Sequence, residues 1–173
     1  MTLTSIFGII VARETVAIAT AVKRGVDMLR FMKTLNNISR SQAIYRSANI
    51  SAKDLHSGHY AFVLAICREP GRSQEELARE LCLNKSTVAR NLAPLEEKGY
   101  IFRIALPHDK RQFAVYPTEK MQSVLPQIEQ TSMEWMALLS EGITPEELDV
   151  FNSVLARMEC RARKIIEEQE ENR

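Results

Sequence analysis

Between Ser73 and Gly99 the chain signals the start of a helix twice, with one short break between the two starts. Ser73 and Glu76 have the spacing of a capping box, in which the serine hydroxyl accepts a backbone N–H and the glutamate reaches back. Leu77, Ala78 and Leu81 form the buried face of this first helix, which ends near Cys82 and Leu83. Asn84 caps the second helix, where Val88, Leu92 and Leu95 recur at four- and three-residue spacing, and Gly99 ends it. Two short helices joined this tightly form a helix-turn-helix. The first braces the second, so that the outer face of the second can enter a DNA major groove. That outer face reads Lys85, Ser86, Thr87, Arg90 and Asn91, side chains that donate to phosphates or pair with base edges.

The following segment sharpens the reading. "YIFRIAL" (Tyr100–Leu106) alternates and is rich in strand formers. "PHDKR" (Pro107–Arg111) reads as a basic loop, and "QFAVYP" (Gln112–Pro117) alternates again with Phe113 and Val115 on one side. This is a β-hairpin directly after a recognition helix, that is, a wing. A tip carrying His108, Lys110 and Arg111 suits the narrow, electronegative minor groove. Charge distribution agrees with this. The net charge is only +1, yet Cys82 to Phe113 holds six Lys/Arg against three Asp/Glu, while Glu119 to Asp149 holds one Lys against seven acids. The near-neutral total conceals a basic module and an acidic one.

Helical periodicity covers most of the remainder. Val26 to Tyr45 reads as an amphipathic helix, "SANISAKD" (Ser47–Asp54) as a turn, and His59 to Cys67 as a helix stopped by Pro70-Gly71. Thr118 caps a long helix to about Ser140, with Val124, Leu125, Ile128, Trp135, Leu138 and Leu139 apolar. "TPEE" (Thr144–Glu147) starts a last helix carrying Leu148, Phe151, Val154, Leu155, Met158, Ile165 and Ile166. These helices have more apolar face than a small winged module can cover, which implies a dimer interface and a two-fold DNA site. The apolar run "SIFGIIVARETVAIATAV" near the N-terminus is cut by Arg13 and Glu14, which leaves no stretch of about 18 residues for a membrane span. It reads either as an extra helix on a partner surface or as sequence preceding a natural start at Met28. Three widely spaced cysteines (Cys67, Cys82, Cys160) give no disulfide framework, so a reducing, cytoplasmic setting is expected.

The run from Ser73 to Lys120 resembles the MarR family of bacterial transcriptional regulators. The matching pieces are Ser86-Thr87-Val88 with Arg90 in the recognition helix, Leu95 to Arg103 (L-E-x-K-G-Y-I-x-R), and Asp109 with Arg111 in the wing. The resemblance implies homodimers bound to inverted repeats near promoters and released by a small ligand or by oxidation. It puts Ser86, Thr87, Arg90 and Asn91 in the major groove and Arg111 in the minor groove. Asp109 would orient the wing by pairing with Arg103 or Arg111. An effector, aromatic or amphipathic, is expected in a cleft between the dimerisation helices and the winged module, lined by Tyr60 and Phe62. The chain departs from the pattern at Met121, where relatives carry glycine.

The expected protein is therefore mainly α with a small β-hairpin: a winged helix-turn-helix with N- and C-terminal dimerisation helices. Its expected divisions are an apolar extension (1–27), a first dimerisation helix and linker (28–54), the DNA-binding domain (55–117) and C-terminal dimerisation helices (118–173). The partners are double-stranded DNA, a second copy and an effector, with no membrane, cofactor or metal. His56-x-x-His59 has helical spacing but shows no third ligand and reads as polar surface. Cys67 and Cys82 lie among apolar residues and read as small buried hydrophobes. No enzyme motif is present: no nucleophile elbow, carboxylate pair beside histidine, or phosphate loop. The rival reading is a winged helix used only for protein contacts, which would not need Arg90 and a basic wing tip together.

Overall fold

A computed structural model describes residues 29–106 and 109–171, with side chains for all of these except 109–111, 170 and 171. The chain divides into two compact units, Met1–Ile44 and Tyr45–Arg173. Residues 29–44 of the first and 45–49 of the second are helical, and together are labelled α1. In the first unit the apolar side chains Leu29 and Ile44 are largely exposed.

The second unit continues with a 3₁₀ turn at Ser57–His59 and helix α2 at Tyr60–Arg68. Strand β1 (Arg72–Ser73), α3 (Gln74–Glu80) and α4 (Lys85–Glu97) follow. Next come β2 (Ile101–Leu106), β3 (Asp109–Pro117), α5 (Glu119–Leu139) and α6 (Pro145–Glu171). The architecture is mostly helical with a small antiparallel sheet, a winged helix. Its core joins Phe62, Val63 and Ile66 of α2, Leu77 of α3, Leu92 and Leu95 of α4, Val115 of β3 and Ile128 of α5.

The helix starts form as the caps dictate. Ser73 and Glu76 make both halves of the capping box, and Asn84 accepts from the Thr87 amide at 2.8 Å. Thr144 and Glu147 exchange the same reciprocal pair of bonds at 2.9 and 3.3 Å. At α5 the Thr118 hydroxyl accepts from the Met121 amide and donates to the Gly99 carbonyl. Met121 is fully buried in the core, so a side chain at this position leaves the start of α5 where the cap puts it.

Three features differ from the sequence reading. First, α1 runs through Asn49 and does not end at Tyr45. Gln127 of α5 donates to the Asn49 carbonyl at 3.2 Å and accepts from the Ser51 amide and hydroxyl, so a distant side chain finishes this helix. Second, the sheet has three strands in the order β1-β3-β2, because Arg72 and Ser73 pair with Val115 and Ala114. Gly71 makes this approach at φ +91°, and an added Cβ would lie 3.0 Å from the Tyr116 hydroxyl. Third, β3 begins at Asp109, within the segment expected to be loop. Pairing is regular from Ile101↔Pro117 to Ala105↔Phe113, then jumps to Leu106↔Asp109 across an irregularity. Val115 is buried but Phe113 is 41% exposed, since it pairs with Ala105 toward the turn of the hairpin.

His59, read as polar surface, is 1% exposed. Its ring lies against that of His56, tilted by 34° with centroids 3.4 Å apart, and neither ring nitrogen has a hydrogen-bond partner among the described residues. Burial, with smaller contributions from His56 and Lys98, holds the imidazole pKa down to about 4. An unfolded histidine binds its proton near pH 6.5, so the unfolded state takes up protons first as pH falls and stability drops through that window. Urea unfolding should show wild type losing about 2 kcal/mol more than His59→Leu between about pH 7 and pH 5. Parallel pH profiles would mean that His59 is not held neutral.

Candidate nucleic-acid interface

Helix α4 buries one face completely: Val88, Leu92 and Leu95 are each 0% exposed. At 100° per residue the side opposite this stripe carries Ser86, Arg90 and Ala93, all exposed. Thr87 and Asn91 lie at its edge and are half-buried, so they belong less to the outer face than the sequence pattern suggests. The Asn91 amide donates to the Thr87 carbonyl at 2.8 Å. Arg90 donates to the Thr87 hydroxyl at 3.1 Å and has no carboxylate partner among the described residues. Ser86 donates to Asn84 Oδ1 at 2.8 Å, the same oxygen that takes the Thr87 amide.

The ends of α4 are braced by partners from elsewhere in the unit. Lys85 pairs with Glu75 of α3 at 3.0 Å, and the Gln74 amide donates to the Lys85 carbonyl at 3.0 Å. Glu96 accepts from Arg103 of β2 (Nε at 2.9 Å), and this bond holds the Glu96 carboxyl below the usual carboxylate range. The Arg103 guanidinium also lies 6.0 Å from the centre of the Phe113 ring. Arg103, one of the two arginines expected as a partner for Asp109, is thus engaged with α4. At the far end Asp54 accepts from the Tyr100 hydroxyl at 2.6 Å and from Lys120 of α5 at 3.1 Å. Lys98 donates to the Asp54 carbonyl at 2.5 Å. Desolvation and the Asp54 contact push the Tyr100 hydroxyl pKa well up, while that bond holds the Asp54 carboxyl down.

Between α3, α4 and the wing lies a groove of about 290 Å³ whose walls include Ser73, Gln74, Lys85, Arg103 and Phe113. The sequence reading missed Gln74 and Glu75, because their partner Lys85 is about ten residues away and only the folded turn brings them together. Of the wing residues singled out, His108 lies outside the described residues, as do the side chains of Asp109, Lys110 and Arg111.

Two further expectations are revised here. Cys82 is exposed, not buried. Reversing the chain between α3 and α4 requires a left-handed residue, and Cys82 supplies it at φ +52° with its side chain turned outward. Such a residue costs on the order of 1 kcal/mol when it is not glycine. Tyr60 and Phe62, expected to line an effector cleft, are 2% and 1% exposed and belong to the core. Cys67 is half-buried against the core, and burial and Glu129 push its thiol pKa up. No cluster of three or more His, Cys, Asp or Glu that could hold a metal occurs among the described residues. No described helix is long and apolar enough to cross a membrane.

The sequence pattern of the MarR family matches residues 53–112. The uncharacterized HTH-type transcriptional regulator YybA of Bacillus subtilis (strain 168) is 30% identical over 120 residues, covering 68% of this chain and 80% of the relative. The chain belongs to the MarR family. A MarR transcriptional regulator from Methanosarcina mazei Go1 superposes with a TM-score of 0.69 at 28% identity, over 77% of this chain and 96% of that one. A putative MarR family regulator from Listeria monocytogenes, solved in complex with 26mer DNA, has the same fold at 22% identity. Its TM-score is 0.72 over 77% of this chain and 89% of that one. Members of the MarR family are transcriptional regulators and not enzymes, and this MarR-family chain carries the DNA-binding winged helix.

Asn84 serves both the Thr87 amide and the Ser86 hydroxyl. Asn84→Ala should lower stability by about 0.5–2 kcal/mol in urea unfolding, while Asn84→Asp should keep most of it. An alanine variant as stable as wild type would show that tertiary packing alone sets the start of α4.

Proposed function

We propose that this MarR-family regulator is a homodimeric repressor that binds an inverted-repeat operator through α4 and the wing. The observation that carries the reading is Arg90, exposed and without a carboxylate partner among the described residues, on the face of α4 opposite its fully buried stripe. In this reading Ser86 and the first-turn amides of α4 meet a phosphate. Arg90, one turn deeper, pairs bidentately with a guanine edge. Lys85, Thr87 and Asn91 flank them. His108, Lys110 and Arg111 reach the adjacent minor groove, with Asp109 orienting the wing. The DNA-bound Listeria monocytogenes relative supports a nucleic-acid partner for this fold.

The two-fold arrangement is supported by α6, where Val150, Phe151, Val154, Met158 and Ile165 form an exposed apolar stripe at helical spacing. Residues 28–54 and 118–173 would supply the dimerisation helices and 55–117 the DNA-binding domain of a cytoplasmic protein. Release would follow binding of a small aromatic or amphipathic effector. With Tyr60 and Phe62 in the core, the support for an effector site moves to Tyr45, Arg46 and Trp135. The Tyr45 and Trp135 rings lie 5.3 Å apart, and Arg46 donates to Ser132 while its buried Nε lacks a partner among the described residues.

Arg90→Ala should lose about 1–3 kcal/mol of operator affinity and relax base preference at one position per half-site, while Ser86→Ala weakens all sequences more evenly. Binding measured against an operator library decides between them. A uniform loss for Arg90→Ala would make it a phosphate clamp.

Sedimentation at micromolar concentration should give about twice the 19.7 kDa chain mass. A monomer there would remove the two-fold operator.

A further inference from the structure

We infer that Arg163 of α6 is a positioning residue for DNA recognition, holding the end of α3 and so the turn from which α4 departs. The inference rests on the reading of α4 as the DNA-contacting helix. An α-helix leaves its last four carbonyls without intrahelical partners. In α3 these belong to Leu77, Ala78, Arg79 and Glu80. The Leu77 carbonyl accepts from the Leu81 amide at 3.0 Å and the Ala78 carbonyl from the Leu83 amide at 2.9 Å. Within the turn the Arg79 carbonyl has only long bonds from Cys82, the amide at 3.4 Å and the thiol at 4.0 Å, besides a shared contact from the Leu81 amide. Arg163 completes the set: Nη1 donates to the Arg79 carbonyl at 2.8 Å and Nη2 to the Glu80 carbonyl at 3.1 Å.

This cap arrives from more than eighty residues away. A guanidinium offers two donors in a fixed plane and can serve adjacent carbonyls together, which an ammonium does less well. Its charge also suits the negative end of α3. Glu159, one turn earlier on α6, accepts from Arg163 Nε at 3.2 Å and Nη2 at 2.7 Å, so the fork is held before it meets α3. The turn it supports contains Cys82 in the left-handed conformation, a place where the backbone needs outside support. On α6, Arg163 points away from the stripe of Val154, Met158 and Ile165 by helical periodicity. One helix therefore presents its apolar stripe on one side and fixes the recognition turn on the other.

The test compares wild type with Arg163→Ala, Arg163→Lys and Glu159→Ala. Amide hydrogen exchange at Leu81 to Leu83 is measured without DNA. Affinity is then measured for a duplex that wild type selects from a randomised library and for an unselected duplex, at several salt concentrations. In Arg163→Ala the turn amides should exchange faster, and the ratio of selected to unselected affinity should fall about two- to thirtyfold. The salt slope should not change, because no phosphate contact is removed. Arg163→Lys should recover little, and Glu159→Ala should fall between wild type and Arg163→Ala. Unchanged turn exchange in Arg163→Ala overturns the inference, as does full rescue by lysine. A salt slope reduced by about one, with equal loss on both duplexes, would make Arg163 a phosphate contact instead. If Arg163→Ala does not fold, Glu159→Ala carries the same comparison, with unchanged exchange and selectivity counting against the clamp. If wild type selects no duplex, the DNA reading fails, and turn exchange still decides whether Arg163 holds α3.

Discussion

The burial of Val88, Leu92 and Leu95 in the core that α4 shares with α3, β2 and the 3₁₀ turn is the contact on which the rest of this molecule depends. Each such side chain contributes about 1.5–3 kcal/mol by leaving water. Together they fix which side of α4 faces outward. Ser86 and Arg90 are available at the surface because the opposite side has nowhere else to go.

Apolar burial sets the face but is non-directional, so it does not set the pitch of a helix within its seat. Polar contacts at the ends of α4 do that. Asn84 and the Lys85–Glu75 pair hold its start, and Glu96–Arg103 ties its last turns to β2. These exposed or half-exposed pairs add little stability individually. Their directionality gives them their value, since each bond has one geometry.

The same logic carries outward from the winged helix. Lys120 donates to both the Asp54 carboxylate and the Lys98 carbonyl, and Thr118 donates to Gly99, so the start of α5 is stitched to the end of α4. Arg163 joins α6 to the other side of the helix-turn-helix. Helix α4 is thus in contact, through one step, with both α5 and α6, the C-terminal helices proposed to dimerise. A change in how those helices pack has a short route to the outward side chains of α4.

The sequence by itself determined whatever acts over three or four residues. The caps at Ser73, Asn84, Thr118 and Thr144, the apolar stripe of α4 and the alternation of β2 were legible because partner and signal lie within one turn or one strand. The outward position of Ser86 and Arg90 follows from that stripe. Tertiary structure alone decided the features whose partners are far apart in the chain. Gln127 carries α1 to Asn49, Val115 recruits Arg72 into a third strand, Glu96 takes Arg103, and packing takes Tyr60 and Phe62 into the core. Cys82 belongs with these. Its neighbours in sequence are apolar, but the reversal of the chain turns its side chain to solvent. Periodicity says which residues share a face, and only the packed chain says what that face meets.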